Sequence, residues 1–158
     1  MTKDVLASIS GMHEEIVAVT PEVEDDENEA IEVVTPATYY LKNGKHYIVY
    51  EEVVEGTSGV IKNRIKINGD ECVEIVKSGL SNSHMIFEKN KKNQTFYKTP
   101  YGQMLIGVNT RHLQVDFEED KIAVQIDYEL DVNHEPMADC KIRMNIVSKD
   151  SGKFSVLS

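Results

Sequence analysis

Phe96-Tyr97-Lys98-Thr99-Pro100-Tyr101-Gly102-Gln103-Met104-Leu105-Ile106-Gly107-Val108-Asn109-Thr110 reads as a short strand, a corner and a longer strand leaving it. Pro100 fixes its own φ and holds Thr99 extended, while Gly102 can take a positive φ that Tyr101 could reach only at a cost. Beyond the corner Met104, Ile106, Val108 and Thr110 alternate onto one face. Leu113, Val115 and Phe117 follow in the opposite phase. A period of two that slips by one residue implies a β-bulge, here near Arg111-His112.

The same grammar recurs on both sides of this stretch. From Ile31 to Leu41 a strand runs into Asn43-Gly44, and Lys45 to Val54 returns. Asn-Gly between two β-rich runs signals a two-residue hairpin turn, since both central residues must take positive φ. Such a turn sets Leu41 opposite His46, Tyr39 opposite Ile48 and Tyr40 opposite Tyr47. Asp4 to about His13 forms an earlier strand, closed by Ser8-Ile9-Ser10-Gly11.

After Gly56-Thr57-Ser58-Gly59, the residues Ile61, Asn63, Ile65 and Ile67 alternate with Lys62, Arg64 and Lys66, giving a half-buried strand with a basic outer stripe. Asn68-Gly69-Asp70 turns the chain, and Val73, Ile75 and Lys77 share the inner face of the next strand. Met85 and Phe87 mark another, followed by a loop from Lys89 to Asn93. Ile122 to Val132 gives the cleanest alternation, Asn133-His134 turns it, and Ala138, Cys140, Ile142, Met144 and Ile146 repeat it.

No segment holds a helical period. About nine or ten strands in sequential hairpins leave exposed edges unless the sheet closes on itself. The expected fold is therefore all-β: one antiparallel up-and-down β-barrel of the calycin or lipocalin-like type, with a flattened sandwich as the alternative. Residues 1–150 are assigned to this single domain, with an acidic loop at 20–30, and 151–158 to a tail.

Composition narrows the function classes. The 158 residues carry 17 Lys and Arg against 27 Asp and Glu, a formal charge of −10. So acidic a chain is repelled by nucleic acid and by anionic membrane, so neither is expected as a partner. The start of the chain lacks the apolar run of a signal peptide, and no stretch approaches the roughly 20 apolar residues of a membrane span. Cys72 and Cys140 lie far apart in separate strands, which points to two reduced thiols and a cytoplasmic setting. The run from Glu22 to Glu29 matches no calcium loop and reads as a solvated segment or a docking surface for a basic partner.

Tyr39 to Gly44, Tyr47 to Glu52, the Tyr97-Lys98-Thr99-Pro100-Tyr101-Gly102 corner, Thr110 and Tyr128-Glu129-Leu130 together resemble the YwiB-like family. That is a bacterial group catalogued as domain of unknown function 1934. The resemblance covers nearly the whole domain and is most specific at the Thr-Pro-Tyr-Gly corner. It implies a calycin-like β-barrel, a bacterial and cytoplasmic setting, and no established activity. The chain departs from the pattern at Lys77, before Ser78-Gly79, where the family favours Arg. Lys keeps the charge there but loses the planar fork that clamps an anion.

The strand phases put polar groups inside the barrel. Lys77, Tyr97, Thr99, Thr110, Tyr128 and Asn63 all fall on inward phases, and a buried Lys is costly unless paired. One reading is a lumen site for a small anionic or amphipathic ligand. Lys77 would be its counter-charge and the Tyr and Thr hydroxyls its orienting groups, with His112 added because a bulge re-aims side chains. The plainer reading is a barrel end whose polar groups satisfy one another, or whose Lys77 reaches water.

No enzyme, cofactor or metal signature accompanies these residues. The five histidines have no metal-ligand spacing, and Glu51-Glu52 alternates across a strand and cannot serve as a carboxylate pair. The Lys62, Arg64, Lys66 stripe lacks interleaved aromatics and reads as balancing acidic neighbours. The function classes are thus a small-ligand barrel or a non-catalytic protein-interaction module using the outer surface, as monomer or homodimer. Filling of the lumen by Met85, Phe87, Met104, Met144 and Tyr128 would favour the second.

Overall fold

A computed structural model describes residues 2–11, 32–53, 56, 58–79, 82–99 and 102–149. Ten strands run in order: β1 (Thr2–Ser10), β2 (Glu32–Lys42), β3 (Lys45–Val53), β4 (Val60–Asn68), β5 (Cys72–Gly79), β6 (Ser83–Glu88), β7 (Lys92–Thr99), β8 (Gly102–Phe117), β9 (Lys121–Val132) and β10 (Glu135–Ser148). All pair antiparallel in one sheet of order β6-β5-β4-β3-β2-β1-β10-β9-β8-β7. Every consecutive pair except β6 and β7 shares a ladder, and β1 closes on β10 with Val5 opposite Ser148. β6 comes into contact with β7 and β8 without a ladder. The fold is a nearly closed up-and-down barrel, as the hairpin grammar implies.

Turn chemistry sets the registers. Asn43 and Gly44 both take positive φ, 53° and 78°, and the resulting turn pairs Leu41 with His46, Tyr39 with Ile48 and Tyr40 with Tyr47. Asn133 and His134 make the second such turn, at 51° and 72°. The β8–β9 register shifts between Thr110 and His112, where the alternation slips. A second shift, between Pro136 and Ala138, is invisible in the sequence because Pro136 and Met137 lie before the alternation of β10 begins.

Four expectations need correction. β1 ends at Ser10 instead of running to about His13, which lies outside the described residues. The loop after β6 is shorter than Lys89 to Asn93, because Asn90 turns at φ 60° and β7 starts at Lys92. Phe117, in phase with Leu113 and Val115, sits at the barrel rim, 43% exposed, with its ring 4.7 Å from that of His46. Ala138 is exposed beside the second bulge.

The interior is built from the inward phases. Ile48, Ile65, Ile67, Val73, Phe87 and Ile126 are fully buried, and hydrophobic burial of such side chains is the main stabilising term. Phe87 and Tyr128 meet edge-on at 4.9 Å inside the barrel, and Met85 and Met104 pack against the same core. Outside, charged residues alternate with these. Lys66 faces Glu74 at 3.8 Å, and Glu74 in turn holds His84 at 2.9 Å. No described helix is long and apolar enough to cross a membrane.

Candidate functional site

β3, β4 and β5 bring Tyr50, Asn63 and Lys77 into one row across the sheet, Tyr50 opposite Asn63 and Asn63 opposite Lys77. Glu52 follows Tyr50 on the same inner phase of β3. Lys77 Nζ donates to Asn63 Oδ1 at 2.8 Å and to Glu52 Oε1 at 3.2 Å. Asn63 Nδ2 donates to the same Glu52 oxygen at 2.8 Å. Asn63 is fully buried and Lys77 is 8% exposed, while the Glu52 side chain is 29% exposed and carries the cluster to the surface.

The chain permits this packing through Gly79, which ends β5 at φ +111° with its Cα against β4. A Cβ there would lie 2.5 Å from the Val60 carbonyl oxygen. Ile61 stands between Glu52 on β3 and Gly79 on β5, giving the polar cluster an apolar floor. One carboxylate and one amide oxygen offset part of the cost of the interior ammonium, the kind of pairing that a buried charge requires.

Tyr128, Thr110 and His112 stand apart from this cluster. Val73, the partner of Phe87, precedes Lys77 by four residues, about 13 Å at the rise of a strand. Tyr128 lies against Phe87, opposite Thr110 on β8 and Cys140 on β10. Burial pushes the Tyr128 hydroxyl well above its ordinary range, and the neighbouring Cys140 thiol adds to the effect. Burial also raises both thiols, Cys140 beside Tyr128 and Cys72 near the carboxylates of Glu74 and Glu88. Thr110 is buried, and its Oγ1 finds no hydrogen-bond partner among the described residues.

His112 is exposed, opposite Asp127 on the outer face, because the bulge restores the inward phase at Leu113 and not one residue earlier. Tyr97 pairs with Met104 and Thr99 with Gly102, but their side chains lie outside the described residues. The acidic run from Glu22 to Glu29 lies outside them too.

Glu52 is the residue that sequence reasoning missed. Its phase was readable: Glu51 and Glu52 point to opposite faces, and Glu52 shares that of Ile48 and Tyr50. What the sequence withheld was the pairing across three strands. Among the described residues, no group of three His, Cys, Asp or Glu could hold a metal ion.

The family model described as "Domain of unknown function (DUF1934)" matches residues 16–144. The chain is 32% identical over 114 residues to the "Uncharacterized beta-barrel protein YwiB" of Bacillus subtilis (strain 168), covering 72% of this chain and 78% of that protein. Superposition on the crystal structure of ywiB protein from Bacillus subtilis gives a TM-score of 0.70 at 19% identity, over 93% of this chain and 92% of the other. The chain belongs to the DUF1934 family, and its barrel is the fold of that structure.

Proposed function

We propose that this member of the DUF1934 family is a small-ligand binding barrel that works in the cytoplasm without catalysis, with its site at the Lys77 end of the lumen. The observation that carries the reading is Lys77 itself, 8% exposed among isoleucines and held by Glu52 and Asn63. Well-packed apolar residues of similar volume would serve stability as well as a buried ion pair or better. A charge kept in such a place points to recognition, and few convergent polar groups on an apolar wall are the usual make-up of a ligand site. The use is lipocalin-like, with Phe87 and Tyr128 packed edge-on inside the barrel away from the Lys77 cluster.

Native mass spectrometry of the protein purified from a bacterial host, beside the denatured sample, tests this. The expected result is a reproducible adduct of small-molecule mass that disappears in Lys77→Met. A clean apo mass, together with no response to added ligands at Lys77, would overturn it.

The packing of Met85, Phe87, Met104, Tyr128 and Met144 in the core favours a second reading, a protein-interaction module using the outer surface as monomer or homodimer. Pull-down of a partner by wild type and Lys77→Met alike, lost on charge reversal of Lys62 and Arg64, supports that reading instead.

A further inference from the structure

The outer face of β2, β3 and β4 gathers cations that the fold does not pair. Lys62, Arg64 and Lys66 alternate along β4, and Lys42 stands directly opposite Lys45 at the end of the β2–β3 hairpin. Like charges opposite each other on a ladder destabilise it. The sequence reads the β4 stripe as balancing acidic neighbours, yet among the described residues only Lys66 does so, facing Glu74. Lys42, Lys45, Lys62 and Arg64 form no salt bridge there, and Lys62 stands opposite Glu51 without one. On the outer face of β8–β10 the arginines are paired instead, Arg111 with Glu129 and Asp139 and Arg143 with Asp127.

The aromatics that β4 lacks come from the strands beside it. Tyr47 stands opposite Lys66, and Tyr40 stacks on Tyr47 at 4.8 Å with the rings 6° apart. Neither hydroxyl has a hydrogen-bond partner among the described residues. Val49 and Val76 flank Arg64. The acidity of the whole chain does not cancel this face. Eight of its acids fall between Glu14 and Glu29, no Lys or Arg lies between Lys3 and Lys42, and elsewhere acids and bases are nearly even.

We propose, resting on the outer-surface reading above, that this face docks an extended segment of a partner protein in which acids alternate with neutral residues. Every second residue of β4 points outward, so its cations recur about 7 Å apart, and an extended segment presents alternate side chains at the same interval. Laid along β4, its carboxylates meet Lys62, Arg64 and Lys66, while Lys42 and Lys45 extend the row beyond Tyr47. The two tyrosine hydroxyls supply donors between them. Glu51 and Glu74 interrupt the face, so a chain charged at every unit is set against them. That disfavours a nucleic acid, as does the stacking, which spends one face of each ring on the other.

The test is amide NMR of the isotope-labelled full chain, titrated with three probes. One is an octapeptide alternating glutamate and serine, one has the same composition with its glutamates in a single block, and one is an oligothymidylate of equal length. The expected result is saturable shifts at Lys42, Lys45, Lys62 and Arg64 with the alternating peptide, lost as salt is raised, and binding weaker by about threefold or more with the block peptide. Lys62→Glu with Arg64→Glu should remove the shifts, and Lys141→Glu, on the outer face of β10, should leave them. Lys62 and Arg64 are exposed, the spectrum itself reports folding, and Lys62→Gln with Arg64→Gln provides a milder pair. Equal binding of the block peptide would overturn the alternating segment and leave the outer-surface reading standing. Tighter binding of the oligothymidylate would overturn it in favour of a nucleic-acid surface. Probes that shift nothing at these residues overturn it too, and a pull-down partner held equally by wild type and the double reversal then removes the outer-surface reading at this face.

Discussion

Lys92 on β7 reaches over Gly107 on β8 to Asp131 on β9, where its Nζ lies 2.6 Å from Oδ2 of a carboxylate that is almost fully buried. A salt bridge spanning three strands ties the edge strand β7 into the sheet, and it exists because the middle position has no side chain. Lys92→Ala leaves the Asp131 carboxylate buried without its ammonium and should cost about 1–3 kcal/mol in urea unfolding. A Cβ on Gly107 would stand 3.1 Å from Lys92 Cε and 3.3 Å from Asp131 Cβ. Gly107→Ala should therefore destabilise by about 1 kcal/mol, and by less once Lys92 is already Ala, since the two changes share one contact.

Gly79→Ala is the harsher glycine change. Its φ of +111° is strained for any L side chain, and the clash is with the Val60 backbone, which cannot swing away. A loss of about 3 kcal/mol or more is expected, read as a lower midpoint in denaturant or as failure to accumulate folded protein.

The two halves of the interior ion pair should respond unequally. Glu52→Gln takes one carboxylate from the interior ammonium of Lys77 and should cost about 1–3 kcal/mol, the lower part of the range reflecting the exposure of Glu52. Lys77→Met removes the interior charge and leaves a carboxylate that can turn to water, so its change should stay within about 1 kcal/mol. Equal losses in chemical denaturation would show that Glu52 is as enclosed as Lys77.

His46 supplies a pH dependence. Its Nδ1 meets the Tyr39 hydroxyl at 2.7 Å, and burial lowers its pKa below the ordinary value of about 6.5. The folded protein therefore binds fewer protons at this site than the unfolded chain. Its stabilising contribution is complete above the unfolded pKa and is lost as pH falls through the lower folded value. Denaturation midpoints should rise with pH up to about 7 and level off above it, and His46→Gln should flatten that slope.

Local grammar was legible in the sequence, and long-range pairing was not. Asn43-Gly44 announced its own turn, and with it the Tyr40–Tyr47 stack at 4.8 Å, because a two-residue turn leaves one register. The bulge after Thr110 showed as a slip of phase. Lys77 could be placed inside its strand, but its partner Glu52 lies 25 positions away across two intervening ladders, and no local period encodes that choice. His112 misled for a related reason: a bulge shifts the phase, and the sequence does not say which residue absorbs the shift.

The sheet joins β1 to β10 by a ladder from Val5–Ser148 to Ser10–Arg143 and leaves its one joint without a ladder between consecutive strands β6 and β7. Closing the ring therefore demands that the two ends of the sequence find each other, a loop whose entropy must be surrendered before the contacts repay it. A circular permutant opened in the turn at 89–91, with β10 spliced to β1, would make that closure a local hairpin and place the new ends at the unladdered joint. It should fold faster than the natural chain order at similar stability, measured by stopped-flow refolding. Equal rates would mean that the β1–β10 ladder forms after the rate-limiting step.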